Sequence, residues 1–188
     1  MLRSTTVIRD IAIILAAGES KRMGQPKALL PARAGHTFLS QLAERCRAAG
    51  LVPMVVTGAH AAEIRAAHPK LWQVVNRQWR KGQLSSVLCG LRGAALARRI
   101  VVHPVDAPDV KVSTFKKLAK SKAPAAAAAL GKKQGHPIAL DGTSARALLR
   151  TKKKTLADAL AELGVELVPV NDAAVLENVN DVKALKKR

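Results

Sequence analysis

Short apolar runs alternate with segments of helical periodicity along this chain. The first run, at positions 7–15, contains five consecutive apolar residues and is typical of a strand buried on both faces. Between the runs, apolar residues recur every three or four positions, which indicates amphipathic helices. The predicted strands are 7–15, 51–57, 71–75, 100–105, 165–170 and 175–179, and the predicted helices are 38–49, 61–67, 85–97, 112–121, 143–150 and 156–163, with a last helix from Asp181 onward.

The alanine-rich segment at positions 125–130 fits two structures. Five consecutive alanines favour a helix on intrinsic propensity. The alternation of strands and helices expects a strand at the same place. We predict a strand here, paired as a hairpin with 137–140 across a turn at 131–135.

The alternation as a whole predicts an α/β fold with a mostly parallel sheet. The chain has 188 residues, of which 48% are hydrophobic and 24% charged, and this is the composition of a globular protein. Neither a repeat nor a linker interrupts the pattern. We therefore expect a single domain over residues 1–188.

The charge balance is strongly basic. Lys and Arg total 32 and Asp and Glu total 13, so the formal net charge is +19. Such a surface favours anionic partners such as nucleotides, phosphorylated metabolites and nucleic acid. Aromatic residues are only 2% and Tyr is absent, which argues against a base-stacking nucleic-acid module. The basic runs 152–154 and 186–188 are predicted to be solvated faces.

Cys46 and Cys89 lie in apolar helical segments and are predicted to be small core residues. Two cysteines make neither a disulfide framework nor a metal knuckle, which fits a reducing cytoplasm. The apolar stretch near the N-terminus lacks the cleavage site of a signal peptide, and no stretch has the length of a membrane span. We expect a cytoplasmic location and no membrane partner.

The segment after the first predicted strand carries the strongest chemical signal. Gly18 and Gly24 allow tight turns that leave backbone amides available to phosphate oxygens. Arg22 and Lys27 place two cations in the same loop. Ligands of parallel α/β sheets bind beyond the carboxyl ends of the strands, so this loop is predicted to cradle phosphate. The alternative is an ordinary basic surface loop, and the pattern is neither a Walker A loop nor a dinucleotide fingerprint.

These residues resemble the signature of a known family. The segment 15–27 reads Leu-Ala-Ala-Gly-x-x-x-Arg-Met-Gly-x-Pro-Lys and resembles that of MobA-like nucleotidyltransferases. Three later segments resemble family motifs in the same order: 76–86, Pro-Val-Asp-Ala-Pro at 104–108 and Gly-His-Pro at 135–137. Within the family, the chain most resembles the molybdenum cofactor cytidylyltransferases.

The resemblance implies a three-layer, Rossmann-like nucleotidyltransferase fold and a Mg²⁺-dependent activity. Such enzymes transfer NMP from an NTP to a phosphorylated acceptor and release pyrophosphate. The implied catalytic residues are Arg22, Lys27 and Asp106. The implied nucleotide-binding residues are Leu15, Ala16, Ala17, Gly18, Gly24, Lys27, Gly58, Ser85 and Ser86. His136 is expected on the acceptor side, and Asp106 and Asn180 are expected to bind the metal.

Several of these assignments have alternatives. Asp106 also suits the start of a turn before Pro108. Asn180 replaces a charged residue of the family motif and also suits a helix cap. Gln83 stands where the family usually has Met. Ala17, where guanylyl-transferring relatives usually carry Gly, favours CTP.

The expected partners are therefore an NTP, with CTP first, and a phosphorylated acceptor such as the molybdopterin cofactor, with a molybdoenzyme as a further candidate. One alternative is a cofactor-binding or delivery protein of the same fold with little catalysis, and another is a sugar-phosphate nucleotidyltransferase. Nucleic-acid binding through the basic surface ranks last. His103 is predicted to be a sheet or core histidine. Trp72 and Trp79 are predicted to be buried packing residues, and the alternative is that they stack a base.

Overall fold

The computed structural model of this protein describes residues 9–179, without the side chain of Arg22. Seven strands and six helices follow one another along the described chain. The strands are β1 (Ile11–Ala16), β2 (Val52–Thr57), β3 (Trp72–Val75), β4 (Arg99–Pro104), β5 (Ala125–Leu130), β6 (Lys133–Asp141) and β7 (Glu166–Pro169). The helices are α1 (Phe38–Ala48), α2 (Ala61–Ala67), α3 (Gln83–Gly93), α4 (Val112–Lys120), α5 (Gly142–Leu149) and α6 (Leu156–Leu163).

The strands form one sheet in the order β3-β2-β1-β4-β6-β5-β7. Strands β1, β2, β3 and β4 pair in parallel, and so do β5 and β7. Strand β6 runs antiparallel to both of its neighbours, β4 and β5. The predicted α/β class with a mostly parallel sheet is confirmed.

Helices cover both faces of the sheet. Successive residues of β1 point to opposite faces, as a strand requires, so that Ala12 and Ile14 pack in one core and Ile13 and Leu15 in the other. Buried side chains of α1, α2 and α4 join the first core, and those of α3, α5 and α6 join the second. All six residues of β1 are buried, which explains its unbroken apolar sequence. The predicted three-layer arrangement is confirmed.

The alanine-rich segment is strand β5, as predicted. Its five alanines are buried, because β5 lies between β6 and β7 and its alternate residues pack in the two cores. The hairpin to β6 is tighter than predicted. Leu130 pairs with Lys133, and Gly131 has a φ of +60°, so only Gly131 and Lys132 connect the two strands.

The strand predicted at 175–179 is wrong. The chain forms a short 3₁₀ turn at Ala173–Leu176 instead, and Val175 packs into the first core. The carbonyl of Val175 lies against Gly135 of β6, where any larger residue would clash. The segment therefore covers one face of the sheet and does not extend its edge. The helix predicted from Asp181 lies outside the described residues.

The described residues contain no helix that is both long and apolar enough to cross a membrane.

The prediction that Trp72 packs in the interior is wrong, because β3 is an edge strand and Trp72 is 41% exposed. Cys46 is fully buried, as predicted, whereas Cys89 is only partly buried on α3.

Candidate active site

The functional candidates meet at the carboxyl ends of β1 and β4. The two strands are parallel neighbours, with Leu15 opposite Pro104, so the loops that follow them leave the sheet side by side. A cavity of about 470 Å³ lies between these loops and the start of α3. A volume of this size is typical of a small-molecule site.

The cavity brings together many of the predicted site residues. Those in its lining are Leu15, Ala16, Ala17, Gly18, Lys27, Ser86 and Asp106. Gly24, Gly58, Ser85 and His136 do not contribute to the lining. The backbone of Arg22 belongs to a 3₁₀ turn at Lys21–Met23 beside the cavity. Asn180 lies outside the described residues.

Lys27 and Asp106 form an ion pair across the cavity. The Lys27 ammonium donates to Oδ2 of Asp106 at 2.8 Å. The two side chains are only 15% and 22% exposed, so solvent screens their interaction less than it screens a surface pair. The loop after β1 thus supplies a cation and the loop after β4 supplies an anion at one point.

The loop that carries Lys27 is held in shape by two left-handed residues and by a hydrogen bond within the loop. Ser20 has a φ of +55° and Gly24 a φ of +67°, and these two turns reverse the chain around the short 3₁₀ segment. The Ser20 hydroxyl accepts a hydrogen bond from the backbone N–H of Lys27 at 3.1 Å. Sequence reasoning missed Ser20, because nothing in its spacing indicated a link to a residue seven positions later.

Gly58 lies against the backbone of Ala17, which lines the cavity. A Cβ at this position would lie 2.5 Å from the carbonyl oxygen of Ala17 and 2.8 Å from the Cβ of Trp79. The backbone N–H of Ala59 also donates to the Ala17 carbonyl at 3.1 Å. Gly58 therefore allows the turn after β2 to fit closely against the Ala17 backbone.

Asn76 joins the end of β3 to the start of α3. Its carboxamide nitrogen donates to the hydroxyls of Ser85, at 2.9 Å, and Ser86, at 3.1 Å. Its oxygen accepts from the backbone N–H of Gln78 at 2.9 Å. Ser86 faces the cavity, whereas the Ser85 hydroxyl lies 2.8 Å from the Gly82 carbonyl. Ser85 therefore has a local structural contact in place of the cavity position that the resemblance implied.

Trp79 and Arg80 also line the cavity. From sequence, a place beside a base is only the alternative prediction for Trp79, and Arg80 has no assigned role. The Arg80 guanidinium lies 4.5 Å from the centre of the Trp79 ring, which is a cation–π contact. Trp79 is partly buried against the second core. Its position depends on packing beside Gly58. No sequence pattern indicates this packing, because the two residues are distant in the chain.

His103 and His136 lie close to the loop after β4. The rings are perpendicular, with centroids 6.3 Å apart. His103 lies within 2.8 Å of the Ala107 carbonyl through Nε2, and full burial lowers the pKa of His103 to about 3. Burial also lowers the pKa of His136, and the negative charge of Asp106 partly opposes that shift. The predicted core position of His103 is confirmed.

Side chains from α1 support the loop after β4. Arg45 donates to the carbonyls of Pro108, at 2.7 Å, and Val110, at 3.0 Å. Gln41 donates to the same Pro108 carbonyl at 2.8 Å. Desolvation lowers the pKa of the Arg45 guanidinium. These contacts fix the loop that presents Asp106 to the cavity.

The C-terminal part of the described chain reaches the same loop. The buried carboxylate of Asp172 accepts from the Lys111 backbone N–H at 2.8 Å and from the Thr114 hydroxyl at 2.7 Å, so it caps the start of α4. Val179 donates its N–H to the Asp106 carbonyl at 2.8 Å. The chain therefore passes directly beside Asp106 at the last described residue.

Asp106 is the only carboxylate in the described lining of the cavity. Residues 9–179 contain no group of three or more His, Cys, Asp or Glu side chains that could hold a metal unaided. Mg²⁺ bound with phosphates commonly uses one or two carboxylates and completes its shell with phosphate oxygens and water. Asp106 offers such a carboxylate inside the cavity, so the residues present fit a divalent cation that binds together with a nucleotide.

Two curated relatives show what this chain is similar to. Nicotine blue oxidoreductase of Paenarthrobacter nicotinovorans is 33% identical over 92% of this chain and 93% of that protein. The molybdenum cofactor guanylyltransferase of Xanthomonas euvesicatoria pv. vesicatoria is 39% identical, and the match covers 56% of this chain and 51% of that protein. The match to the guanylyltransferase thus spans about half of each chain.

Solved structures share the fold. Rv0371c of Mycobacterium tuberculosis H37Rv superposes with a TM-score of 0.82 at 25% identity, covering 97% of this chain and 98% of that chain. Its manganese complex gives a TM-score of 0.74 at 24% identity, covering 95% and 97%.

The model of the MobA-like NTP transferase domain matches residues 12–172, which include both loops of the cavity. The cavity position, the Lys27–Asp106 pair and this match over most of the chain agree with one another. The chain belongs to the MobA-like NTP transferase family.

Proposed function

We propose that this protein transfers a nucleoside monophosphate from an NTP to a phosphorylated acceptor and releases pyrophosphate. The observation that carries the proposal is the ion pair between Lys27 and Asp106 inside the cavity that follows β1 and β4. Nucleotidyl transfer needs a cation beside the reacting phosphates and a carboxylate that can hold a divalent metal. The cavity offers both groups at one place.

The cavity suits an extended nucleotide. Ala17, Gly18 and Ser86 offer small side chains and backbone groups at one part of the lining, which leaves room for base and ribose. Lys21 and Lys27 supply positive charge for the triphosphate, and we assign Arg22 to the same role. Gly24 keeps the loop in a left-handed turn that brings these cations together.

The reaction asks mainly for positioning and charge stabilisation. An acceptor phosphate oxygen attacks the α-phosphorus, the bond from this phosphorus to the bridging oxygen breaks, and pyrophosphate leaves with that electron pair. Lys27 would stabilise the negative charge that gathers on the α-phosphate oxygens, because its compact ammonium is held in a partly buried site. His136, whose pKa is lowered by burial, would remain neutral on the acceptor side.

Asp106 would hold the divalent metal, for which Mg²⁺ is our assignment, and Asn180 would add a carbonyl oxygen. When bound, the metal neutralises phosphate charge. Asp106 can serve because its loop is fixed by Arg45 and Gln41 and by the backbone hydrogen bond from Val179.

We further propose CTP as the preferred nucleotide and the molybdopterin cofactor as the acceptor. Support for the acceptor comes from the relatives named molybdenum cofactor guanylyltransferase. Those names favour GTP, whereas the Ala17 methyl group, which lies in the lining, reduces the space beside Gly58 and favours a smaller base. A sugar phosphate is the next candidate acceptor, and a molybdoenzyme would be the partner that receives the product.

A second candidate function is an oxidoreductase activity. The observation that favours it is the 33% identity to nicotine blue oxidoreductase, which extends over 93% of that relative. A carrier that binds the cofactor without catalysis is the third candidate. The reason is that Asn180, the second expected metal ligand, is uncharged.

The test is pyrophosphate release with each of the four NTPs, Mg²⁺ and purified molybdopterin cofactor or a sugar phosphate. Turnover with CTP and the cofactor supports the full proposal, and turnover with GTP replaces only the nucleotide assignment. Tight cofactor binding without pyrophosphate supports the carrier. Oxidation or reduction of nicotine blue, without pyrophosphate release, supports the oxidoreductase and rejects the transferase.

A further inference from the structure

We call the cavity of the candidate active site the nucleotide cavity. A second concave site lies on the other side of α3 from it. It has a volume of about 590 Å³ and is bounded by the end of β3, the turn at residues 77–81, one face of α3 and the segment before α6. We call it the basic cavity. Its charged lining residues are Arg77, Lys81, Arg92, Lys153 and Lys154.

These five cations line one concavity, and the described residues around it supply no compensating charge. No Asp or Glu belongs to the described lining, and none of the five side chains forms an ion pair within residues 9–179. Like charges held around one concavity repel one another, and a bound polyanion relieves that repulsion. The run at 152–154, predicted from sequence to be a solvated face, thus contributes two side chains to a formed cavity.

The basic cavity is separate from the nucleotide cavity, and the wall between them contains Asn76, Ser85 and Ser86. Ser86 faces the nucleotide cavity, Ser85 faces the basic cavity, and the Asn76 carboxamide donates to both hydroxyls. Asn76 is buried, so it acts as a fixed part of the wall. A ligand in the basic cavity would therefore not occupy the position of the NTP.

We propose that the basic cavity is a second binding site for a compact oligophosphate. Concavity and volume favour a small ligand over an extended macromolecule. Five cations match the several negative charges of a chain of phosphates better than a single carboxylate or monophosphate. The source can be an inorganic oligophosphate or the tail of a nucleotide, and the apolar Leu84 and Leu88 in the lining would contact a nucleoside in the second case.

Cys89 gives a direct and local readout. It lines the basic cavity and is partly buried, whereas Cys46, the other cysteine of the chain, is fully buried. Alkylation of the folded protein with iodoacetamide at alkaline pH should therefore report on this cavity, with Cys89→Ser as the control for site selectivity. Inorganic triphosphate, added without metal, should slow Cys89 alkylation at least fivefold.

A charge-matched pair of variants tests whether the effect is local. Lys153→Gln with Lys154→Gln removes two cations from the basic cavity. Lys152→Gln with Lys120→Gln removes two exposed lysines that do not line it. The first variant should raise the triphosphate concentration needed for half-protection by about tenfold, which corresponds to roughly 1.4 kcal/mol for two charge contacts. The second should stay within about twofold of the unmodified protein.

The comparison with the nucleotide cavity completes the experiment. Protection of Cys89 should persist in Lys27→Ala, because Lys27 belongs only to the other cavity. Stronger protection by CTP than by inorganic triphosphate identifies a nucleotide tail as the ligand, and equal or weaker protection identifies a free oligophosphate. Absence of protection, loss of protection in Lys27→Ala, or equal weakening in both charge variants overturns the proposal. None of these results depends on nucleotidyl transfer.

Discussion

The Lys27 ammonium lies 2.8 Å from Oδ2 of Asp106, although the residues are 79 positions apart in the chain. The parallel pairing of β1 with β4 produces this contact, because it sets the two following loops beside each other. One loop thus contributes a cation and the other a carboxylate at the same point. Replacing each residue alone separates the roles that we propose for them.

Replacing Lys27 by Ala should abolish most of the nucleotidyl transfer. Loss of one preorganised charge contact to a developing anion lowers kcat by about 10²- to 10³-fold. Pyrophosphate release measures the effect, and circular dichroism checks the fold. Lys120→Ala, which removes an exposed lysine at the end of α4, is the control and should keep full activity. Unchanged kcat in Lys27→Ala would remove Lys27 from the mechanism.

Replacing Asp106 by Asn should weaken the response to metal. The amide keeps the size of the side chain but loses the charge that attracts Mg²⁺, so half-saturation should move to at least about tenfold higher Mg²⁺. A Mg²⁺ titration of pyrophosphate release at saturating NTP measures this shift. Glu166→Gln, at the exposed first position of β7, is the matched control. A variant that saturates at the same Mg²⁺ concentration would contradict the assignment of Asp106.

Two glycine substitutions should act in different ways. Gly58→Ala forces a Cβ to within 2.5 Å of the Ala17 carbonyl and should destabilise the protein by about 1–3 kcal/mol, as overpacked sites do. A Cβ at Gly18 meets no atom within 4 Å, so Gly18→Ala should change stability by less than about 0.5 kcal/mol. Because that methyl group would project at the cavity lining, it should instead raise the apparent Kd for the NTP. Urea unfolding and nucleotide titration distinguish the two outcomes.

The buried carboxylate of Asp172 should matter for stability. It is 2% exposed and accepts hydrogen bonds from Lys111 and Thr114 at the start of α4. Asp172→Ala leaves both donors unpaired and should lower the free energy of unfolding by about 1–3 kcal/mol. Thr114→Val removes only the hydroxyl bond and should cost less. Equal stability of Asp172→Ala and the unmodified protein in urea would show that this cap contributes little.

His103 should make the protein sensitive to acid. Its pKa falls to about 3 in the folded protein, so the folded state stays neutral at a pH where the unfolded chain takes up a proton. Stability should therefore be lost as the pH falls from the unfolded pKa, near about 6.5, towards 3, at roughly 1.4 kcal/mol per pH unit from this proton.

His103→Gln isolates that contribution. Its amide can still donate to the Ala107 carbonyl but cannot titrate. Between these two pKa values, the free energy of unfolding of the variant should depend less steeply on pH by the same amount. His68→Gln is a useful comparison, since burial also lowers the pKa of His68. An identical pH slope in His103→Gln and the unmodified protein would show that His103 does not titrate on unfolding.

Much of the fold was predictable because each central strand is buried on both faces. The apolar runs of β1, β2 and β4 indicate strands by themselves. The alanines of β5 are predicted to form a strand only because strands and helices alternate along the chain. The error at 175–179 has a physical cause. Apolar residues were needed there to cover the sheet face over β6, and a short segment that covers a face has the same composition as a strand.

The candidate site was predictable in part. The glycine-rich loop and Asp106 follow strands that sequence indicated, so their convergence follows from the parallel sheet. The side chains of Trp79 and Asn76 could not be placed, because their roles depend on contacts with Gly58 and Ser86 from other elements. Pairwise distances of this kind are set by tertiary packing and leave no local pattern in the sequence.

The carboxamide of Asn76 ties two hydroxyls on opposite sides of one wall. Both of its N–H groups are engaged in this way, and its oxygen accepts from the Gln78 backbone. The side chain therefore has no proton left to offer a guest in either chamber, and whatever fills one chamber must be recognised by other groups.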